Sequence, residues 1–338
     1  MPITHFQRKP HPYHFSIEGL FAEIRAKMSQ YPVELVVCPH FSQGLFPRIK
    51  NTWFASRNQG KVNHITGDVH YLALGLRKQK TILTIHDCAF MRHPKALARF
   101  ILKWFWLRLP VWRSRYVTVI SQATKEEVLQ HVPNCPSDKI IIIPDAVSEA
   151  YQPFPREFNA VKPRILLVGT KKNKNLERSI TALENIPCEI HLIGEKKEEI
   201  NQLLHQCDID HQWSTRLSNQ AMLAAYQNAD LLLFASTLEG FGMPIIEAQA
   251  VGRPVVTSDL SSMPEVAGSG ACLVNPYDPD CIRAGVLRLI EDREYREYLV
   301  QKGFENVQRF RAEEVARQYE ALYERVLRGG ETAKSKSQ

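Results

Sequence analysis

The stretch from Ala235 to Pro254, A-S-T-L-E-G-F-G-M-P-I-I-E-A-Q-A-V-G-R-P, constrains this chain most. An apolar strand, Asp230 to Phe234, runs into it, and a short helix follows, opened by Pro244 and closed by Gly252 and Pro254. Proline suits a first helical turn because the N–H it lacks has no partner there anyway. Gly240 and Gly242 permit a sharp turn and leave no side chain between backbone and ligand. A strand, a bare loop and a helix N-terminus suit phosphate or sugar oxygens, through backbone N–H groups and the positive end of the helix dipole. Two carboxylates bracket the spot, Glu239 in the loop and Glu247 in the helix.

The rest of the chain repeats the strand-and-helix alternation. A helix is expected from about Ser16 to Ser29, with Ser16 as its cap and Gly19 a weak point. Strands are expected at Val33–Cys38, Val62–Ile65, Thr81–Ile85, Tyr116–Ile120 and Lys139–Ile143. A Pro-rich segment without periodicity, Tyr151 to Pro163, reads as a linker. A second series follows at Arg164–Val168, Cys188–Ile193, Asp230–Phe234, Pro254–Thr257 and Ala271–Val274, then helices from about Asp280 to Leu327. Continuous apolar strands spaced by helices argue for parallel sheets covered on both faces. The expected class is therefore α/β, with two doubly wound Rossmann-like domains and ligands beyond the strand C-termini. Residues 1–155 form the first domain and 156–312 the second; 313–328 is a helix crossing back to the first domain, and 329–338 a polar, disordered tail.

Composition narrows the classes. At 338 residues with 44% hydrophobic and 23% charged, the chain has material for two cores. No apolar run reaches the length of a bilayer span. Met1 to Pro12 is polar and His-rich, unlike a secretory signal. The seven cysteines are scattered without a C-x-x-C pair, so neither a zinc site nor a disulfide framework is expected, and the compartment reads as cytoplasmic and reducing. The formal charge of +7 admits nucleic acid, an anionic membrane or an anionic substrate. No zinc-finger, RRM or KH text supports nucleic acid.

Taken together, the two α/β series, the linker, the E-G-F-G-M-P-I-I-E loop and the text A-x-A-x-G-R-P-V-V-T-S, P-E-V-A-G and V-N-P after it resemble glycosyltransferase family 4, a GT-B family. Glu239 and Glu247 fit that family's E-x7-E pattern without a gap. The resemblance is strong over about 160–325, moderate over 60–155 and weak before 60. It implies two Rossmann-like domains with a cleft between them. It also implies retaining transfer of a hexose, glucose or mannose first, from a UDP- or GDP-sugar to a hydroxyl of a saccharide or lipid-linked saccharide. Polysaccharide or glycolipid assembly is the expected setting, with no obligatory cofactor or metal.

The resemblance also implies site residues. Glu247 would hold the ribose diol, since a carboxylate accepts from neighbouring hydroxyls. Glu239 would bind a sugar hydroxyl and stabilise positive charge at the anomeric carbon, aided by the backbone of Gly240, Phe241, Gly242 and Met243. After the first strand of the second domain come Gly169 and Thr170, then Lys171-Lys172-Asn173-Lys174-Asn175. Lys174 matches the family's phosphate-binding Lys, and cations there stabilise the departing diphosphate. Many relatives carry Arg where this chain has Thr170, so that cationic contact is either absent or supplied by Lys171. The base is expected between the Trp213–Leu217 loop and Tyr226. In the first domain His86 resembles the family's sugar-contacting His and is assigned a catalytic role, with Asp87 orienting its ring. Thr66, Gly67 and Asp68, following His64, are expected on the acceptor side.

Two departures stand out. Where relatives carry a Gly-rich N-terminal loop, this chain reads K-P-H-P-Y-H-F-S, leaving His11, His14 or the next helix to meet the diphosphate. Where the family has Asn-Gly-Val before the linker, this chain has Asp145-Ala146-Val147, so the local turn is expected to differ. Asp278-Pro279-Asp280 spells D-x-D but reads better as a helix cap than as a metal site. Ala96 to Arg115 interleaves aromatics with Arg and Lys, which suits either a core-facing helix or an anionic membrane interface at the inner face of the plasma membrane. The competing functions are a nucleotide-sugar epimerase, a phosphorylase or hydrolase on the same fold, and a non-catalytic sugar-nucleotide binding protein. A dinucleotide oxidoreductase would need G-x-G-x-x-G after a first strand, absent from Val36–Gln43 and Val168–Asn175.

Overall fold

The computed structural model describes residues 2–10, 16–92 and 94–335, the side chains of residue 16 and of 330–335 excepted. Two units emerge, one formed by 1–146 and 312–338, the other by 147–311. Each is built on a six-stranded parallel sheet, so the chain consists of two doubly wound α/β units.

The first unit contains β1 (Ile3–Gln7), α1 (Ser16–Lys27), β2 (Val33–Val37), α2 (Leu45–Arg57), β3 (Val62–Ile65), β4 (Thr81–Ile85), α3 (Ala96–Leu102), a π-helical stretch Lys103–Arg108, α4 (Leu109–Arg113), β5 (Tyr116–Val119), α5 (Gln122–His131) and β6 (Ile140–Ile142). The sheet order is β2-β1-β3-β4-β5-β6. β1 is a strand that the sequence pattern does not reveal, and it pairs in parallel with both β2 and β3. His5 and Gln7 break its apolar run, yet all five of its residues are buried. One face of the sheet packs against Phe21 and Ile24 of α1 and against Val315, Tyr319 and Tyr323. These last belong to the terminal helix, which returns to this unit. The other face packs against Ala55, Leu72, Leu107, Val111 and Val128.

His5 of β1 and His64 of β3 share one partner. The Tyr323 hydroxyl sits 2.8 Å from His5 Nε2 and 2.7 Å from His64 Nδ1. His64 Nε2 meets Thr84 Oγ1 at 2.7 Å. Burial, then the nearby His86 and Arg25, push the His64 pKa down to about 3, so its ring is neutral.

In the second unit the elements are β7 (Arg164–Val168), α6 (Leu176–Thr181), β8 (Glu189–Ile193), α7 (Glu198–Gln206), β9 (Asp210–Ser214), α8 (Asn219–Asn228), β10 (Leu231–Phe234), α9 (Met243–Val251), β11 (Val255–Ser258), α10 (Met263–Ala267), β12 (Cys272–Val274), α11 (Pro279–Glu291) and α12 (Arg293–Val307). The order is β12-β11-β10-β7-β8-β9. β9, D-H-Q-W-S, escaped the sequence reading because it is an edge strand with little buried surface. The Pro-rich segment lies on this unit: Phe154 N–H donates to Val251 O, Tyr151 packs edge-on against Tyr226, and Arg156 pairs with Asp230.

Asp278 caps α11, its Oδ1 accepting from Asp280 N–H with Pro279 in the first turn. Among the described residues no cluster of three or more His, Cys, Asp or Glu side chains is placed to hold a metal. The seven cysteines are unpaired. The last helix, α13 (Ala312–Ser335), continues past Gly329, where composition had suggested disorder. No described helix is long and apolar enough to cross a membrane. His11 and His14 lie outside the described residues, as does the Ser16 side chain.

Candidate functional site

In the second unit the site forms at the C-terminal edge of the sheet, where β7 and β10 pair. β7 runs into Gly169, whose φ of +93° is one that L side chains rarely adopt. A Cβ there would lie 2.7 Å from Lys174 Cε, so the glycine makes room for the lysine to fold back over the strand end. Lys174 stands over the Phe234 ring, 4.4 Å from its centroid, and its Nζ is 2.7 Å from Glu239 Oε1. Asn173 Nδ2 donates to the same oxygen at 3.1 Å and to Leu238 O at 2.8 Å. The Glu239 side chain is 15% exposed and that of Lys174 16%. The basic residues after β7 and the acidic loop after β10 thus meet, although about sixty-five residues separate them.

Serines brace the backbone of this loop. Ser261 Oγ donates to Glu239 O at 2.7 Å, and Ser262 Oγ to Phe241 O at 2.6 Å. Gly242, at φ 118°, is the N-cap of α9. In the first turn of α9 Pro244 has no N–H and Ile245 N–H donates to Gly242 O at 2.9 Å, which leaves the Met243 N–H outside the helical ladder beside the loop. Phe241 turns its ring inward, 5% exposed and edge-on to Phe310, and contributes only backbone to the edge. Gly240 and Met243 are partly exposed.

Glu247, one turn beyond Met243, accepts from Tyr226 Oη at 2.6 Å and from the Tyr151 hydroxyl. Burial raises its pKa; the two tyrosines and Lys174 oppose that rise. A carboxylate has about four lone-pair sites, so two phenols leave it capacity for a diol. Tyr226 itself is fully buried. Its place is beneath Glu247, not against a base as the sequence suggested. Asn175, in the left-handed region at φ 56°, donates its amide to Ala235 O and Pro276 O at 3.1 and 2.6 Å. It ties the two loops together and offers no donor group to a ligand. Thr170 is 8% exposed, Leu217 is half-buried, and Trp213 Nε1 is engaged by Gly194 O. Lys171 is exposed at the edge.

Residue 86 opens the corresponding edge in the first unit, directly after β4. The sequence assigned Asp87 to orient the His86 ring. Instead Asp87 Oδ1 accepts from Ala89 N–H, and Asp145, after β6, lies with Oδ1 3.3 Å from His86 Nδ1. His86 Nε2 is 3.3 Å from Thr66 O. Thr66 is 1% exposed and its hydroxyl donates to Phe6 O, so its side chain does not line an acceptor site. His64 is fully buried as well, and Gly67 is buried beside Ile17. Asp68 is exposed and accepts from Arg8 Nη1 at 3.0 Å. Arg8 also pairs with the buried Glu18. Arg8 follows β1 directly, so missing that strand hid it; the cue was a Thr-His-Phe run before a basic turn. Ala146 is not among the residues with positive φ.

A hollow of about 600 Å³ elsewhere on the second unit is lined by Phe154, Phe158, Arg253, Arg296 and Phe304. None of these is a candidate donor residue. Its arginines are engaged, Arg253 by Phe154 O and Arg296 by Leu289 O.

Comparison with known proteins bears on the fold and the family. Residues 151–306 match the family described as glycosyl transferases group 1. O-antigen chain mannosyltransferase B of Escherichia coli is 26% identical over 260 residues, 69% of this chain and 67% of that protein. Among solved structures, sucrose-phosphate synthase of Thermosynechococcus elongatus superposes with a TM-score of 0.73 at 17% identity, over 97% of this chain and 99% of that one. Anabaena Alr3699/HepE, solved with UDP and glucose, gives 0.70 at 16% identity, over 95% and 99%. These likenesses show the GT-B fold. Over residues 151–306 the second unit is similar to the group 1 glycosyl transferases, and the chain has the GT-B fold.

Proposed function

We propose that this protein is a retaining hexosyltransferase of the E-x7-E type, glycosyltransferase family 4. It takes a hexose from a nucleoside diphosphate sugar and delivers it to a hydroxyl of a saccharide or lipid-linked saccharide, in polysaccharide or glycolipid assembly. The carrying observation is the convergence of Lys174, Glu239 and Glu247 on the bare loop before α9. The reaction separates charge: the diphosphate leaves with added negative charge and the anomeric carbon turns positive. Lys174 and the α9 N-terminus match the first charge and the Glu239 carboxylate the second. Glu247 takes the ribose diol and His86 a sugar hydroxyl. No metal is needed in this scheme, because Lys174 and backbone dipoles carry the diphosphate. Mannose is the first sugar to try, since the E. coli relative is a mannosyltransferase. UDP-glucose is second, given the UDP and glucose in the Anabaena structure.

The test is a donor panel of GDP-mannose, UDP-glucose and UDP-N-acetylglucosamine, with and without EDTA. Free nucleoside diphosphate is followed, and the anomeric configuration of any product is read by NMR. One donor is expected to turn over with retention in the presence of EDTA. Tight binding of a donor with no release of diphosphate would mark a non-catalytic binding protein instead.

The acceptor side fits contact with an anionic leaflet at the cytoplasmic face. Leu97, Phe100, Ile101 and Phe105 are exposed along α3 and the π-helical stretch, and Leu45, Phe46, Ile49 and Trp53 along α2. The two elements adjoin, Arg48 lying over the Trp106 ring. Between Glu34 and Glu126 the only acidic residues are Asp68 and Asp87, while Arg and Lys recur throughout. Apolar residues at headgroup depth amid basic ones suit anionic lipid. Changing Phe100, Ile101 and Phe105 to serine is expected to lower co-sedimentation with phosphatidylglycerol vesicles at least tenfold, a loss of about 1.4 kcal/mol or more. Equal co-sedimentation of the variant would remove the membrane from the proposal.

A further inference from the structure

We propose that Asp145 is a positioning residue that holds His86 as an imidazolium, with both ring N–H groups fixed at the edge of the first sheet. His86 Nδ1 faces Asp145 Oδ1 at 3.3 Å and Nε2 faces the Thr66 carbonyl at 3.3 Å. A carbonyl oxygen only accepts, and so does an ionised carboxylate. A neutral imidazole would turn one lone pair toward one of these oxygens. Only the doubly protonated ring satisfies both. The side chains of His86 and Asp145 are each 13% exposed, so water screens the pair weakly.

The surroundings agree. Burial works against charge on His86. The Asp145 carboxylate, by its charge and its hydrogen bond, then the Thr66 carbonyl and Asp87, outweigh it, and the pKa rises. From α1 the Phe21 ring presents itself edge-on at 6.0 Å and carries no charge. From the terminal helix Tyr319 stays protonated, held so by burial and by the Asp145 charge. On β3 His64 is neutral, and His70 is lowered by burial. His86 therefore carries the positive charge at this edge while its histidine neighbours do not.

The placement also explains a departure in the sequence. Asp145 stands where the resembled family has Asn, which brings no charge to the ring. The Nε2 contact to Thr66 O is long, so that N–H remains available to an oxygen that approaches more closely. The ligand chemistry at Nε2 is thus an oxygen acceptor, a sugar hydroxyl or a phosphate oxygen, met by a charged donor rather than a neutral one. This use rests on the transferase reading; the protonation state does not.

The experiment is a ¹⁵N NMR pH titration of the His86 ring in the full chain. Wild type is expected to show two protonated nitrogens at pH 6.5 and a midpoint above 6.5. Asp145→Asn is expected to lower the midpoint by at least about one unit, and Asp145→Glu to restore it. A neutral ring at pH 6.5 in wild type, which needs no variant to fold, overturns the proposal, as does an unmoved midpoint in a folded Asp145→Asn. In turnover assays kcat/KM is expected to fall as pH rises through the His86 midpoint, with Asp145→Asn losing about tenfold between the two midpoints. Absence of turnover with the NMR result intact would fault the transferase reading and leave the imidazolium standing.

Discussion

Replacing Lys174 by alanine is expected to lower kcat/KM by about 10²–10³-fold, the usual loss when one stabilising group is removed from developing transition-state charge. Lys174 is the one cation of the basic loop that the structure ties to Glu239. Lys171 and Lys172 beside it are exposed. Gly169 clears its path and the Phe234 ring lies under its Nζ, so the ammonium group is held before any ligand arrives. When a diphosphate enters, the Nζ has two negative partners in place of one. Its pull on the leaving group grows as the glycosidic bond breaks, so the loss should fall mainly on kcat. Lys171→Ala, made as a comparison, is expected to change kcat/KM by less than about fivefold, because exposed charges are screened. Equal losses in the two variants would assign the basic loop a diffuse role and remove Lys174 from the chemistry.

Tyr323→Phe carries the largest expected effect on stability. Its hydroxyl is the shared partner of His5 Nε2 and His64 Nδ1 inside the first unit. His5 Nδ1 already has no hydrogen-bond partner, so the substitution leaves His5 with none at either nitrogen. Two orphaned buried polar atoms at about 1–3 kcal/mol each give an expected loss of about 2–6 kcal/mol. Native-state hydrogen exchange checks this by location: amides of β1, β3 and β4 should lose protection while those of β7 and β10 keep theirs. Protection equal to wild type in all of them would show that the network carries little of the stability. The same two histidines set an acid limit. Both are held below 6.5, chiefly by burial, so the unfolded chain binds more protons than the native one as pH drops below that value. Stability is therefore full above 6.5 and falls by about 1.4 kcal/mol per unit and per histidine below it.

What could be read from the sequence followed what local pattern can encode. β10, its loop and α9 were plain because an apolar strand, two glycines and a proline each act within a few residues of one another. Lys174 was legible through resemblance, and the structure adds its ion pair with Glu239. β1 was not legible. Its His5 looks polar in sequence and is buried only because Tyr323, 318 residues away, supplies its partner. Tyr226 was assigned to a base, but its hydroxyl is held by Glu247, 21 residues later. Asp145 read as a change of turn. Its charge acquired meaning only when the end of β6 came beside the end of β4, with β5 between them in the sheet. His5, Tyr226 and Asp145 are polar side chains whose partners lie in other elements, which periodicity does not report.

The central claim is that the loop before α9 holds a nucleoside diphosphate sugar. A crystal structure of the full chain with GDP-mannose or UDP-glucose tests it most directly. The expected result is density at the β7–β10 edge, with a pyrophosphate oxygen within about 3 Å of Lys174 Nζ and the ribose diol on Glu247. Density elsewhere, with the Lys174–Glu239 pair intact and no ligand against Gly240 to Met243, would contradict it.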